Sequence, residues 1–233
     1  MTSKYKILND NFKYIFFIPY ILWLLFIFFY IVNSHLIKAG ELNGLVMYGG
    51  DSHSYIADAK RFLNFDFSEL HTSKLSYIFL VTFVFFLKLN LTSIVIFQLL
   101  TTIVSSFCLY LIGKKLFSRW VGLTCLFFFL TCLPIQLRNF YILTEILFIN
   151  FNIILIYLCF FKQNQKILIV LISLFILFLR PSGFLIILSL FFTIILFNKL
   201  DRIYNLALKV VLIFVSFFLL VFFINIGVQD YEL

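Results

Sequence analysis

Apolar residues fill most of this chain in long runs that polar residues interrupt only briefly. The runs mix Phe, Leu and Ile without the period-two alternation of a half-buried strand. A helix needs about 20 such residues to cross a bilayer, and only helices or closed barrels satisfy their backbone there. We therefore expect an all-α polytopic bundle of seven or eight transmembrane helices in a single domain, residues 1–233, with runs at 14–32, 94–112, 120–133, 142–161, 167–179, 184–197 and 206–224.

Composition strengthens this prediction. The chain is 64% hydrophobic and 12% charged, whereas a soluble domain is about 45–50% apolar and about 25% charged. All four cysteines lie inside apolar runs, where a thiol behaves as a small hydrophobe, so we expect no disulfide framework. The first run is too long for a secretory signal and lacks a small-residue cleavage site, which favours a retained anchor.

Basic residues predict the orientation. They are scattered at helix ends and do not cluster with stacking aromatics, so the net charge of +8 does not indicate a nucleic-acid partner. With the N-terminus in the cytoplasm, eleven lysines and arginines lie inside and six lie outside. The positive-inside rule favours this arrangement. It places one long loop, residues 34–74, outside and the later spans at 75–224.

This orientation constrains the chain between residues 75 and 112. Two apolar pieces, 75–87 and 91–112, are separated by Lys88 and Asn90, yet together they must cross the membrane once. Either the first piece is a short re-entrant or interfacial helix, or it spans and the charge argument fails. Re-entrant backbone is tolerated where protein or a water-filled cavity covers it. We favour the re-entrant interpretation.

The outer loop holds all three histidines and five of the ten acids. Polar residues are excluded from lipid, so their collection in a loop does not by itself indicate chemistry. Two glycines followed by Asp51 predict a turn and a helix start. Residues 54–63 place apolar side chains at helical spacing, with Asp58, Lys60 and Arg61 opposite. This pattern predicts a short amphipathic helix on the membrane surface, for which Asp51 is either the N-cap or a functional acid.

Two more ionisable residues lie at helix ends on the same predicted side. Glu145 begins an apolar run shortly after Arg138, and Arg180 precedes a Pro-Ser-Gly break between two apolar runs. An ionisable residue at membrane depth is a functional candidate, although snorkelling and simple pairing are common.

The order of four short segments resembles the GT-C superfamily of membrane glycosyltransferases. Within it, the chain is most similar to relatives of dolichyl-phosphate-mannose protein mannosyltransferases and bacterial aminoarabinose transferases. Family members are usually longer and carry paired prolines before the second span, which are missing at residues 74–77. The resemblance covers residues 14–197 and rests on segments 50–59, 111–119, 134–148 and 178–183.

The resemblance implies an activity and roles for particular residues. A sugar would move from a polyprenyl-phosphate donor to a hydroxyl of a glycan, lipid or protein acceptor, with inversion, at the outer face of a bacterial inner (plasma) membrane. Asp51 would be the general base, and Arg180, with Lys74 or Arg61 in reserve, would stabilise the departing phosphate. Glu145 would orient the acceptor or Arg180. The expected substrate-binding residues are His53, Tyr55, Arg61, Lys74 and Arg138.

We expect no cofactor. His35, His53, His71 and Asp51 are suitable ligand types for a divalent metal, but their wide spacing matches no metal motif. Two other classes of function stay open. A lipid-carrier flippase or transporter predicts ionisable residues near span centres, whereas here they lie at the ends. A non-catalytic assembly subunit agrees with the short length.

Overall fold

A computed structural model gives the fold of residues 2–33, 42–43, 46–66, 74–162 and 164–199. His35, His71 and the apolar run at 206–224 lie outside these residues. As expected, the chain is predominantly helical. Its elements are α1 (Thr2–Asn33), a hairpin of β1 (Leu42–Asn43) and β2 (Val46–Met47), α2 (Ser52–Leu63), α3 (Leu75–Phe86), α4 (Thr92–Leu116), α5 (Arg119–Thr131), α6 (Leu133–Leu137), a 3-10 turn (Arg138–Phe140), α7 (Glu145–Phe161), α8 (Lys166–Leu179) and α9 (Gly183–Lys199).

Helices α4 and α7 lie side by side and point the same way. Partway along both, Ser105 Oγ donates to Asn150 Oδ1 at 2.8 Å. At their far ends, Lys115 Nζ lies 4.5 Å from the ring centroid of Phe161. Contacts that advance together along two helices require a parallel arrangement. The C-terminal ends of α4 and α7 therefore lie at the same end of the bundle.

Helix α1 runs in the opposite direction to α4. The Tyr20 hydroxyl lies 3.1 Å from Ser106 Oγ, and the ring centroids of Phe16 and Tyr110 are 4.8 Å apart. The start of α1, the end of α4 and the end of α7 therefore lie at one end. We call it the basic end because it collects Lys114, Lys115, Arg119, Lys162 and Lys166. The opposite end, which we call the site end, carries Asp51, Glu145 and Arg180.

Helix α3 does not traverse the bundle. Its 12 residues extend about 18 Å, less than the roughly 30 Å hydrocarbon core of a bilayer. In the second turn of α4, Gln98 Nε2 donates to the carbonyl oxygens of Tyr141 and Leu143, each at 3.2 Å, just before α7 begins. Helix α4 therefore starts near the site end, as α3 does, and residues 75–112 cross the bundle once.

By length and composition, few of the described helices qualify as complete membrane spans. Helix α4 is long and apolar enough to span a membrane. The helical segments Arg119–Thr131 and Leu133–Phe140 meet at a bend of 56°, and they give a second span if they are counted as one broken helix. This number is smaller than the seven or eight expected from the apolar runs. Shorter apolar helices cover Ile15–Ile31, Leu75–Phe86, Glu145–Phe161 and Lys166–Leu179.

The outer surface carries many large apolar side chains, and neutral polar residues are buried within the apolar core. Large apolar side chains face outward, including Phe28 at 65% and Phe83 at 58% exposed, whereas Gln98 and Asn150 are fully buried. Between the helices, Thr102 Oγ1 donates to Asn139 Oδ1 at 2.8 Å, in a set of hydrogen bonds that joins α4, the 3-10 turn and α7. Soluble proteins bury apolar residues and seldom expose large apolar patches, which mark lipid-contacting or protein-contacting surfaces.

The contact between α4 and α5 depends on two glycines. A Cβ atom on Gly113 would lie 2.8 Å from Gly122 Cα, and one on Gly122 would lie 2.6 Å from the Tyr110 carbonyl oxygen. Both distances are shorter than a van der Waals contact with backbone atoms. Small residues therefore allow the two helices to pack backbone to backbone.

We expect Gly122→Ala to lower the thermal unfolding midpoint of the purified protein. The added methyl group must displace backbone of α4, which typically costs 1–3 kcal/mol. Thr124→Ala, on the exposed side of the same helix, is the matched control and should change the midpoint little. Equal midpoints for Gly122→Ala and the control would contradict the packing described here.

Candidate functional site

Helix α2 forms where the sequence pattern predicts it, over Ser52–Leu63 rather than 54–63. Its apolar side packs on α3, with the Tyr55 and Tyr77 ring centroids 5.1 Å apart. The prediction was wrong about Asp58: the helical spacing places it on the polar face, but only 2% of it is exposed. Spacing gives the angle of a side chain around the helix axis and does not show which sides of the helix the rest of the protein covers.

The turn before α2 is fixed against the chain that leads into α7. Ser52 Oγ donates to the carbonyl oxygens of Gly49 at 2.7 Å and Ile142 at 3.0 Å. The Tyr141 ring lies against Gly49, where a Cβ atom would be 3.0 Å from a ring carbon. Gly50 has a φ of 51°, which glycine adopts without strain. These contacts bring the start of α2 close to the start of α7.

Asp51 precedes α2 but its side chain does not cap the helix. No helix N–H donates to its carboxylate, so the interpretation of Asp51 as a simple side-chain N-cap is wrong. Instead, Asp51 Oδ2 forms an ion pair with Lys74 Nζ and accepts a hydrogen bond from the Tyr55 hydroxyl at 3.1 Å. The Lys74 ammonium also lies 5.0 Å from the Tyr55 ring centroid. The carboxylate is held away from the helix axis and stays partly exposed.

Glu145 and Arg180 form a second ion pair. Arg180 Nη2 donates to Glu145 Oε1 at 2.7 Å, and the Arg180 and Glu145 side chains are 18% and 17% exposed, respectively. Arg180 ends α8 at a tight turn, where a Cβ atom on Gly183 would lie 2.6 Å from the Ile176 carbonyl oxygen. Only glycine allows this close return of the chain into α9. The Pro-Ser-Gly break therefore fixes the position of the guanidinium at the end of α8.

The two ion pairs form one group, which we call the polar cluster: Asp51, Tyr55, Lys74, Glu145 and Arg180. Burial alone would raise the pKa of Asp51, but the Lys74 and Tyr55 hydrogen bonds and the nearby charges of Lys74 and Arg180 outweigh it and hold the pKa below its usual value. Arg180 is therefore near enough to Asp51 to favour its charged form, and the Ser52–Ile142 hydrogen bond holds the start of α2 beside the start of α7.

Tyr55 and Lys74 keep their ordinary protonation states near neutral pH. Burial raises the pKa of Tyr55 to about 12, with the nearby carboxylates of Asp51 and Glu145 contributing. Burial by itself would lower the pKa of Lys74, but its hydrogen bonds with Asp51 and Tyr55 raise it above the usual value. The cluster therefore holds two carboxylates, two cations and a neutral phenol. It can bind an anion through the cations and accept a proton on a carboxylate.

The other three predicted site residues lie outside the polar cluster. His53 is exposed and stacks on Tyr48, with ring centroids 5.4 Å apart. Arg61 is ten residues beyond Asp51 on α2, about 15 Å along the helix axis. Arg138 begins the 3-10 turn, and within the described residues no hydrogen bond or ion pair links it to the cluster. Five of the eight predicted residues are therefore close together.

The described residues give no support for a metal site. Among them, no three His, Cys, Asp or Glu side chains lie close enough together to hold an ion. Two of the histidines considered as ligands, His35 and His71, belong to the part of the chain that the structure does not describe.

Sequence reasoning did not single out Tyr77, Gln98 or Thr144, which are fully buried close to the cluster. Gln98 lies in an otherwise apolar stretch of α4, and an isolated amide in such a run is a recognisable polar signal. Tyr77 and Thr144 carry a weaker signal, because both residue types are common at helix ends.

The coupled ion pair of Asp51 and Lys74 predicts a specific dependence of stability on pH. The lowered pKa of Asp51 means that its stabilisation is complete above the unfolded value of about 3.9 and is lost as pH falls through the folded value. The raised pKa of Lys74 keeps its contribution complete below about 10.4. The difference in unfolding midpoint between the wild type and Asp51→Asn should therefore be constant from about pH 5 to 9 and shrink in stronger acid. A difference that changes within that plateau would contradict the pairing.

No family model, curated protein or solved structure matches this chain.

Proposed function

We propose that the chain is an integral membrane protein with seven or eight spans and a cytoplasmic N-terminus. The exposed apolar faces and buried neutral polar residues support membrane insertion. Six helical segments run between the basic end and the site end: α1, α4, α5 with α6, α7, α8 and α9. The apolar run at 206–224 would supply a further span. The five lysines and arginines gathered at the basic end agree with a cytoplasmic location of that end under the positive-inside rule.

We further propose that the protein is a glycosyltransferase similar to the GT-C superfamily, using a polyprenyl-phosphate sugar as donor. The observation that carries this proposal is the juxtaposition of Asp51 with Lys74, Glu145 and Arg180 at one end of an apolar bundle. A partly exposed carboxylate suits proton abstraction, and two adjacent cations suit a phosphate. Apolar helix faces below the cluster suit a prenyl chain.

In the proposed reaction, the acceptor hydroxyl oxygen attacks the anomeric carbon of the donor sugar. The bond between that carbon and the phosphate oxygen breaks, and its electron pair leaves with the polyprenyl phosphate. Asp51 takes the hydroxyl proton, while Arg180 and Lys74 stabilise the negative charge of the leaving phosphate. One displacement inverts the anomeric configuration.

The ion pairs suggest how binding of the donor phosphate makes the Asp51 carboxylate more basic. Without a substrate, the pairing with Lys74 lowers the pKa of Asp51 and makes it a weak base. A donor phosphate competes with Asp51 for the Lys74 ammonium. When Lys74 turns to the phosphate, Asp51 loses its main stabilising partner and becomes more basic. Glu145 holds the Arg180 guanidinium in position through the 2.7 Å hydrogen bond.

Two other functions make different predictions. A flippase or transporter needs charged groups along the path between the membrane faces. In the described part of the bundle, the polar residues buried between the long helices are neutral, including Gln98, Thr102 and Asn150. This favours the enzyme over a transporter. A non-catalytic assembly subunit would need neither Asp51 nor a lipid-linked sugar.

A reconstituted assay separates the three functions. Vesicles containing the purified protein receive a radiolabelled polyprenyl-phosphate hexose. An enzyme releases polyprenyl phosphate and transfers the label to an acceptor or to water. A flippase moves the intact labelled lipid between leaflets, and an assembly subunit changes neither its chemistry nor its location.

Cysteine labelling tests the proposed orientation. In a variant lacking the four native cysteines, His53→Cys and Ser118→Cys introduce exposed positions at the site end and the basic end. A membrane-impermeant maleimide added to intact cells should modify position 53 and leave position 118 unmodified until the membrane is permeabilised. Modification of position 118 in intact cells would contradict the orientation.

A further inference from the structure

Four buried polar atoms lie behind the polar cluster without a hydrogen-bond partner among the described residues. They are the Tyr77 hydroxyl, Gln98 Oε1, Thr144 Oγ1 and Glu145 Oε2. Tyr77, Gln98 and Thr144 are fully buried, and the Glu145 side chain is 17% exposed. We call these four side chains the recess. Native proteins rarely leave buried polar atoms unsatisfied, so each one needs a partner.

The four side chains are neighbours. The Tyr77 hydroxyl lies beside the Gln98 side chain, close enough to interact with it although outside hydrogen-bond geometry, and near the Glu145 carboxylate. Gln98 Nε2 donates to the Leu143 carbonyl oxygen at 3.2 Å, immediately before Thr144 and Glu145. These contacts place atoms from α3, α4 and the start of α7 around one point.

Glu145 connects the recess with the polar cluster. Its Oε1 atom accepts the Arg180 hydrogen bond, and its Oε2 atom is one of the four unpartnered atoms. The edge-to-face contact of Tyr55 with Tyr77 lies beside this connection. In a ligand whose phosphate contacts Arg180, the group bonded to that phosphate would therefore lie next to the recess.

The atoms of the recess select the kind of ligand that fits. Gln98 Oε1 and ionised Glu145 Oε2 only accept hydrogen bonds, whereas the hydroxyls of Tyr77 and Thr144 both donate and accept. A phosphate or carboxylate would meet two acceptors and be repelled. A neutral hydroxyl group donates to an acceptor and accepts from a hydroxyl, so it suits this set.

We propose that the recess binds hydroxyl groups of the donor sugar. This proposal rests on the proposed transfer from a polyprenyl-phosphate sugar and assigns the sugar subsite within it. Glu145 then has two roles, one oxygen positioning Arg180 and the other accepting from a sugar hydroxyl. One carboxylate oxygen holds the Arg180 guanidinium that contacts the phosphate, and the other contacts the sugar.

The test compares binding of two probes, farnesyl phosphate and farnesyl-phospho-hexose, to detergent-purified protein. The wild type should bind the sugar-bearing lipid more tightly. In a variant carrying Tyr77→Phe and Thr144→Val, which removes two hydroxyls at nearly constant side-chain size, we expect affinity for farnesyl-phospho-hexose to fall about tenfold or more. Affinity for farnesyl phosphate should not change.

Tyr20→Phe is the matched control, because it removes a tyrosine hydroxyl that contacts Ser106, remote from the recess, and should change neither affinity. The thermal midpoint of each unliganded variant shows whether it is folded, and the single variants Tyr77→Phe and Thr144→Val replace the double variant if that one unfolds.

The possible outcomes distinguish failure of the proposed sugar subsite from failure of the proposed transferase function. If the two lipids bind the wild type equally, or if the preference for the sugar persists in the folded variant, the recess holds water and the proposal is wrong, while the transferase function is unaffected. If neither lipid binds the folded wild type, the proposed function fails and the sugar subsite fails with it.

Discussion

Asp51→Asn is expected to reduce sugar transfer by roughly a hundredfold or more, the contribution typical of a general base. Asparagine has nearly the same size as aspartate and caps helices about as well, but its amide does not accept a proton near neutral pH. Because Asp51 makes no side-chain cap hydrogen bond, the loss cannot come from an uncapped α2. Initial rates of label transfer at saturating donor measure the effect.

Asp66→Asn is the control for this substitution. Asp66 is an exposed acid beyond the end of the same helix, outside the polar cluster, and its change should leave the rate unaltered. The thermal midpoint of Asp51→Asn should fall by only a few degrees, because Asp51 is partly exposed and its ion pair with Lys74 is screened by water. Full activity in a folded Asp51→Asn protein would exclude a general-base role.

Arg180→Ala should lower the transfer rate by about a hundredfold, because removal of a donor that stabilises developing negative charge typically costs that much. Arg180→Lys keeps the charge and loses the planar fork, so we expect a smaller loss. The measurement is the same rate assay, with the affinity for polyprenyl phosphate determined in parallel. Arg119→Ala removes an arginine at the basic end and serves as the matched control.

A purely structural role of Arg180 has a distinct signature. Arg180→Ala leaves Glu145 as a poorly exposed carboxylate without its cation, which destabilises the fold. Adding Glu145→Gln removes that charge and should restore the thermal midpoint. If Arg180 acts on the substrate, the double variant regains stability and is far less active than Glu145→Gln alone. Recovery of activity together with stability would show that the guanidinium serves only the fold.

The helical architecture could be predicted from the sequence because long apolar runs leave few alternatives in a membrane. The start of α2 was predictable to within two residues, since the two glycines and Asp51 form a turn that precedes helical spacing. The number of spans could not be predicted in the same way, because α7 and α8 have only 17 and 14 residues, fewer than the roughly 20 that cross a bilayer. Helix α7 also begins at Glu145, inside the apolar run at 142–161. Run length alone does not give the helix ends.

The site was only partly predictable, because partners distant in sequence are set by tertiary packing. The charge argument placed Asp51, Glu145 and Arg180 at one end, but it did not pair Lys74 with Asp51 across 23 residues. That pairing depends on how α2 folds back on α3. The burial of Asp58 was missed for the same reason, because tertiary packing decides which sides of α2 are covered.

Turnover of a polyprenyl-phosphate sugar by the purified chain tests the central claim most directly. Protein in lipid vesicles is incubated with a radiolabelled polyprenyl-phosphate hexose and a mixture of glycan, lipid and peptide hydroxyl acceptors, and the released polyprenyl phosphate and the sugar transferred to acceptor are quantified. We expect the wild type to produce both in equal amounts, with the sugar in inverted configuration, and Asp51→Asn to produce almost none. Folded wild-type protein that binds the donor without consuming it, or equal turnover by Asp51→Asn, would contradict the account.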